Sequence, residues 1–208
     1  MKALLKGLIV VLLTTILLGC QKASSPVISG PEHAVNDVTA YFPSESNMIW
    51  VYQGEGNEFA GFTRRVMIRQ GNRVQFSEDN GGTKMMMVFQ VSAGEVKRTF
   101  FVPEFYTDKN MLNEPDNLAE VILKAPLKSG AVWQDARNRR EVLGISEKIT
   151  VPAGTFENVV KIKVTPLQGG PQGSQLLEYY APNTGLILRE FTAGDNFKVL
   201  SKLDNFKP

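Results

Sequence analysis

Val160-Lys161-Ile162-Lys163-Val164 alternates apolar and charged residues without a break. Successive side chains on an extended backbone point to opposite faces. Val160, Ile162 and Val164 therefore predict a buried face, and Lys161 and Lys163 a solvated one. The same period runs through Arg73-Val74-Gln75-Phe76-Ser77, where Val74 and Phe76 share a face. Further strands are expected near residues 48–53, 59–69, 83–92, 95–102, 131–137, 139–150, 175–181, 185–192 and 197–203. Turn chemistry separates them. Gln70-Gly71-Asn72 and Asp79-Asn80-Gly81-Gly82 are hairpin signals, because Asn and Gly accept positive φ. Ala93-Gly94, Pro152-Ala153-Gly154, Pro182-Asn183-Thr184-Gly185 and Ala193-Gly194-Asp195 continue the pattern. Only residues 110–121 are expected to hold a short helix, and Pro115 limits it. Short connections between successive strands favour an antiparallel meander. The fold class is all-β: a meander forming a curved sheet, a sandwich or a partly open barrel.

Pro43-Ser44-Glu45-Ser46-Asn47-Met48-Ile49-Trp50 aligns with Pro126-Leu127-Lys128-Ser129-Gly130-Ala131-Val132-Trp133. The proline, one serine and the tryptophan match, and Ile49 matches Val132 in kind. This suggests two related halves, 41–105 and 122–206, each opened by a proline-led turn and a tryptophan on its first strand. Unrelated strand orders in the two halves would end the idea.

The first residues are of another kind. Lys2 and Lys6 precede an apolar run from Leu8 to Leu18, too short for the roughly 20 residues that span a bilayer. This is the pattern of a signal peptide over residues 1–19. It ends in Leu17-Leu18-Gly19-Cys20, which resembles a bacterial lipobox, with Leu18 less usual than a small residue. The resemblance implies cleavage before Cys20 and lipidation of its thiol. Two or more acyl chains hold firmly where one gives marginal binding. Gln21, in place of an inner-membrane-retaining aspartate, favours the outer membrane in a two-membrane cell, or the outer face of a single membrane. Residues 20–37 carry Ser, Pro and Gly without apolar periodicity and read as a flexible tether. Residues 38–208 then form the β domain. Cys20 is the one cysteine, so this domain rests on its core alone.

The chain carries 23 Lys+Arg and 21 Asp+Glu. Removing the leader's two lysines leaves 21 basic residues against 21 acidic ones. A neutral domain argues against nucleic acid as a partner. Arg64-Arg65 and Arg139-Arg140 are basic spots expected on solvated strand faces, with anion sites as the lesser alternative.

Catalytic signals are weak. His33 is the one histidine and falls in the tether, away from any Ser/His/Asp arrangement. No Cys/His cluster suggests zinc, and no cofactor or metal is expected. Glu55 with Glu58, and Glu78 with Asp79, are carboxylate pairs near turns, expected to be polar turn residues. Glu78-Asp79-Asn80-Gly81-Gly82 lacks the spacing of an EF-hand loop. The run Met85-Met86-Met87-Val88-Phe89 is apolar on both strand faces, which predicts a strand covered on both sides. Core packing explains it. The sharper expectation is a greasy cavity wall of Met85, Met86, Met87 and Phe89 with Phe100 and Phe101, suited to a lipophilic ligand.

Ile149-Thr150-Val151-Pro152-Ala153-Gly154-Thr155-Phe156-Glu157-Asn158-Val159-Val160 resembles a turn motif of uncharacterised bacterial envelope lipoproteins. Glu178-Tyr179-Tyr180-Ala181-Pro182-Asn183-Thr184-Gly185-Leu186 is similar to their closing hairpin. Tyr41-Phe42-Pro43 and the turn before Trp133 fit as well, so the likeness covers most of residues 41–203. Ser46-Asn47 departs from it by lacking a glycine. The resemblance implies an envelope β domain and brings no catalytic residues. Three roles follow as expectations. The first is a non-enzymatic envelope lipoprotein that binds a protein partner or supports structure. The second is a carrier or sensor of a lipophilic ligand. The third, least supported, is a carboxylate-based hydrolase of cell-wall or glycan material.

Overall fold

A computed structural model describes residues 33–169, 171, 173–194 and 197–208. The expected leader, Cys20 and most of the expected tether lie outside the described residues. The strands are β1 (Ile49–Glu55), β2 (Phe62–Gln70), β3 (Arg73–Asp79), β4 (Lys84–Val91), β5 (Glu95–Val102), β6 (Glu120–Lys124), β7 (Val132–Gln134), β8 (Asn138–Val151), β9 (Gly154–Pro166), β10 (Gln175–Ala181), β11 (Gly185–Ala193) and β12 (Phe197–Lys207). They form one sheet in the order β6-β5-β4-β3-β2-β1-β12-β11-β10-β9-β8-β7, with neighbours antiparallel. The sheet curls into a nearly closed, barrel-like form. β8 and β9 bend most, through three register shifts, and bulges of this kind add local twist.

The order divides evenly. β1 to β6 run outward in one meander, and β7 to β12 return in another laid out in the same sense. The two halves thus share a strand order. Trp50 opens the first and faces Arg64 across β1–β2, and Trp133 opens the second and faces Arg140 across β7–β8.

Residues 110–121 are not helical. Glu114 N–H closes a single turn onto Met111 O at 3.2 Å, and the next residue is Pro115. The Asn117 and Leu118 amides then both donate to Thr99 O, and the Asn117 side chain holds both backbone polar groups of Phe101. The segment is stitched to β5 as an extended chain and continues as β6, a strand the alternation did not reveal. Gln75 fastens the same loop from beneath: its side-chain nitrogen donates to Lys109 O and its oxygen accepts from Met111 N.

The expected tether ends sooner than Asp37. Val35 and Leu127 exchange two backbone hydrogen bonds of 2.8 Å. Asp37 then caps a 3-10 turn, Val38–Tyr41, by accepting from Thr39 N–H. Val38 N–H donates to Ala93 O, Ala40 O accepts from Asn183 N–H, and the Tyr41 hydroxyl donates to Asn158 O. These partners, in turns and loops except for Asn158 within β9, gather toward one end of the barrel. Val38, Tyr41, Phe42 and Leu127 are buried there and make its floor. The fit is close at Gly185, whose φ of +86° and approach to Pro43 (3.3 Å from a notional Cβ) both call for glycine.

Candidate functional site

Strand direction decides which residues surround the space above this floor. Antiparallel order puts the turns after β1, β3, β7, β9 and β11 at the far end, together with the long link between β5 and β6. Just inside that end lies a cavity of about 380 Å³. Its wall is not uniformly greasy. Four arginines (Arg64, Arg98, Arg140, Arg189) and three glutamates (Glu78, Glu120, Glu178) line it, beside Met85, Met87, Phe89 and Phe101. An outer depression of about 400 Å³ shares Arg98, Glu120 and Asn138 with it and is rimmed by residues 136–138 and 166–168. The cavity therefore opens at the end opposite the floor.

This overturns the expected solvation of the two arginine pairs. Arg64 is 9% exposed and Arg140 3%, and each points inward beside its tryptophan partner. Arg65 is exposed, and Arg139 half-buried against Glu141. Glu78 also departs from its expected place at a turn. It is buried and accepts Arg64 Nε at 2.6 Å and Arg64 Nη2 on the same oxygen. Asp79 faces the other way and receives Gly81 N–H in the turn. Glu55 and Glu58 are exposed, and Glu55 pairs with Lys202. Neither pair brings two carboxylates together across the cleft.

The charged groups form a chain of contacts. Glu120 takes Arg140 Nη2 (2.6 Å) and Asn138 Nδ2 (2.9 Å) on one oxygen and Arg98 Nη2 on the other. Arg140 also reaches Asp135 at 3.3 Å. Glu178 accepts the Tyr180 hydroxyl at 2.9 Å and lies 3.4 Å from Arg189 Nε. Burial pushes the Glu78 carboxyl up, but Arg64 beside it, with Arg189, reverses this and holds it below the ordinary carboxylate range. Glu120 behaves alike: burial raises it, and Arg98 and Arg140 bring it down overall. Burial and then Glu178 push the Tyr180 phenol well above its usual value. Glu78 and Glu120 are thus fixed as anions at neutral pH, a poor state for a proton donor.

β6 and β7, the sheet's two edges, meet through side chains. Trp133 Nε1 donates to Val121 O at 2.9 Å, and Val121 N–H donates to Asp135 at 3.0 Å. The other Asp135 oxygen accepts the Arg137 and Asn138 amides. A tryptophan and an aspartate thereby stand in for the ladder that a thirteenth strand would supply, and they answer the exposed-edge problem.

The predicted apolar set divides by strand face. Met85, Met87, Phe89 and Phe101 line the cavity. Met86 and Phe100 face outward and pack with Val88, Met111 and Leu112 under the 103–119 loop. β4 is thus covered on both sides. His33 is exposed. Among the described residues, no three His, Cys, Asp or Glu side chains gather as a metal would need.

Fold and site define an antiparallel, barrel-like β domain with a charged internal cavity open at one end. Two solved structures resemble it. One is a candidate lipoprotein from Parabacteroides distasonis ATCC 8503, 20% identical, covering 81% of this chain and 98% of its own, with a TM-score of 0.48. The other is a candidate exported protein with a YmcC-like fold from Bacteroides fragilis NCTC 9343, 15% identical, covering 80% and 98%, with a TM-score of 0.47. At such identities neither lends its role to this chain. No protein-family model and no curated protein matches the sequence.

Proposed function

We propose that this chain is a lipid-anchored, non-enzymatic binding module of the cell envelope, whose barrel interior receives a small ligand. One observation carries the reading: the cavity of about 380 Å³ opens at the end opposite residues 35–42, where the chain enters the barrel. Its volume falls in the 300–1,000 Å³ range of small-molecule sites. The anchor itself rests on Leu17-Leu18-Gly19-Cys20, outside the described residues, and the outer membrane is favoured by Gln21. Glu78 and Glu120, each neutralised by arginine, favour binding over acid–base hydrolysis.

Native mass spectrometry of the full chain, released from its membrane in nonionic detergent, tests the reading. The expected spectrum contains a small-molecule adduct on the acylated polypeptide, lost on collisional activation. A bare polypeptide mass under conditions that keep a control lipoprotein–ligand complex intact would refute the ligand. Failure to incorporate radiolabelled palmitate would refute the anchor.

A further inference from the structure

The cavity wall has two chemistries, and its hydrogen-bond donors outnumber the acceptors offered to them. Four guanidinia face three carboxylates across the space. Arg64 is committed to Glu78, and Glu120 is shared between Arg98 and Arg140. Among the described residues, the Nε atoms of Arg98 and Arg140 are buried without a partner. Arg140 itself is almost wholly buried. Among the described residues Arg189 makes one ion pair, the 3.4 Å approach of its Nε to Glu178, and a third of its side chain is exposed. Its two terminal nitrogens are thereby the most available cationic donors in the cavity. Such a fork matches a carboxylate or a phosphate, with two parallel hydrogen bonds. Met85, Met87 and Phe89 on β4, with Phe101 on β5, supply an apolar strip in the same space. A neutral, wholly apolar ligand would desolvate the Arg189 terminal nitrogens without giving them an acceptor. A free inorganic anion would leave the methionine strip unused.

We propose that the cavity takes one anionic amphiphile, with its carboxylate or phosphate head on Arg189 and its apolar part along Met85, Met87 and Phe89. This rests on the cavity being a binding site, and it names the ligand's chemical class. Calorimetry on the detergent-solubilised full chain, against a micelle blank, compares octanoate, octyl phosphate, inorganic phosphate and 1-octanol. Octanoate and octyl phosphate are expected to bind once per chain, at least tenfold tighter than 1-octanol. Octyl phosphate is expected to bind at least tenfold tighter than inorganic phosphate. Arg189→Gln should cut the affinity for both anionic amphiphiles at least tenfold and leave 1-octanol within twofold. Met85→Gln should weaken octanoate and octyl phosphate and spare inorganic phosphate. If Arg189→Gln melts early, Met85→Gln carries the decision. Octanol binding as tightly as octanoate would overturn the head-group assignment and leave the cavity reading standing. Inorganic phosphate matching octyl phosphate would overturn the amphiphile in favour of a free anion. Four silent probes beside a retained native adduct would overturn the ligand class, whereas silence with no adduct would sink the binding site itself.

Discussion

Glu120→Gln is the sharpest test of the buried charge network. The carboxylate is the common partner of Arg98, Arg140 and Asn138. Its side chain is 6% exposed and that of Arg140 3%, so both charges have been taken out of water. Breaking such a pair by removing one member costs about 3–5 kcal/mol, because the surviving charge stays buried. Arg98 is nearer solvent and adds less. At about 2–4 °C per kcal/mol for a domain of this size, the melting temperature should fall by roughly 6–20 °C. Thermal unfolding of the wild type and variant, followed by far-ultraviolet circular dichroism, measures it. The pH dependence gives an independent sign. The folded-state pKa of Glu120 is lowered from 4.5. Its contribution is therefore fully present above the unfolded value and lost as pH falls through the folded one. The gap between wild type and Glu120→Gln should narrow on acidification below about pH 4.5. A fall of under about 2 °C at pH 7, or a gap constant down to pH 2, would refute the buried pairing.

Three other outcomes follow from the same geometry. Asp135→Ala removes the acceptor of Val121, Arg137 and Asn138 amides and of Arg140; it should cost at least about 3 kcal/mol. Hydrogen exchange should then be fastest to rise at Val121, and unchanged exchange there would show that the seam does not depend on Asp135. Phe42→Ala removes the ring that packs 5.0 Å from Phe89 and 5.5 Å from Phe76, at a cost of about 3–5 kcal/mol by chemical denaturation; a loss below about 1 kcal/mol would mean the floor is not packed as described. Burial raises the phenol pKa values of Tyr52 and Tyr180, so in ultraviolet titration both should ionise later than a free phenol while the fold persists. Their native pKa values exceed the unfolded value of 10, so stability should decline as pH rises above 10. Ionisation of all five tyrosines together near pH 10, with the fold intact, would contradict this.

Much of the sheet was legible because period-2 alternation reports burial directly. Val160, Ile162 and Val164 point inward as expected, and the Asn/Gly turns fall between the strands. β6 escaped because Val121-Ile122-Leu123 is a continuous apolar run, and a strand whose short register depends on Asn117 and Trp133 has no local signature. The site was harder to read. Arg64 and Arg140 sit among alternating residues at positions that count as inward-facing, but adjacent arginines ordinarily signal solvent. Only carboxylates on other strands, Glu78 opposite Arg64 on β3 and Glu120 on the β6 edge facing Arg140, make their burial tolerable. The apolar run of β4 was visible, but which methionines belong to the cavity is fixed by the 103–119 loop that claims the others.

The pairing of β1 with β12 has a consequence for how the molecule is made. These strands sit side by side in the middle of the sheet, yet Ile49 meets Lys207. During synthesis or export from the amino end, β1 has β2 on one flank and nothing on the other until residues 197–207 emerge. An unfilled strand flank invites pairing with another polypeptide, and contacts this distant in sequence slow folding. A holdase that covers extended chains should therefore engage the nascent protein longest on the segment around Trp50.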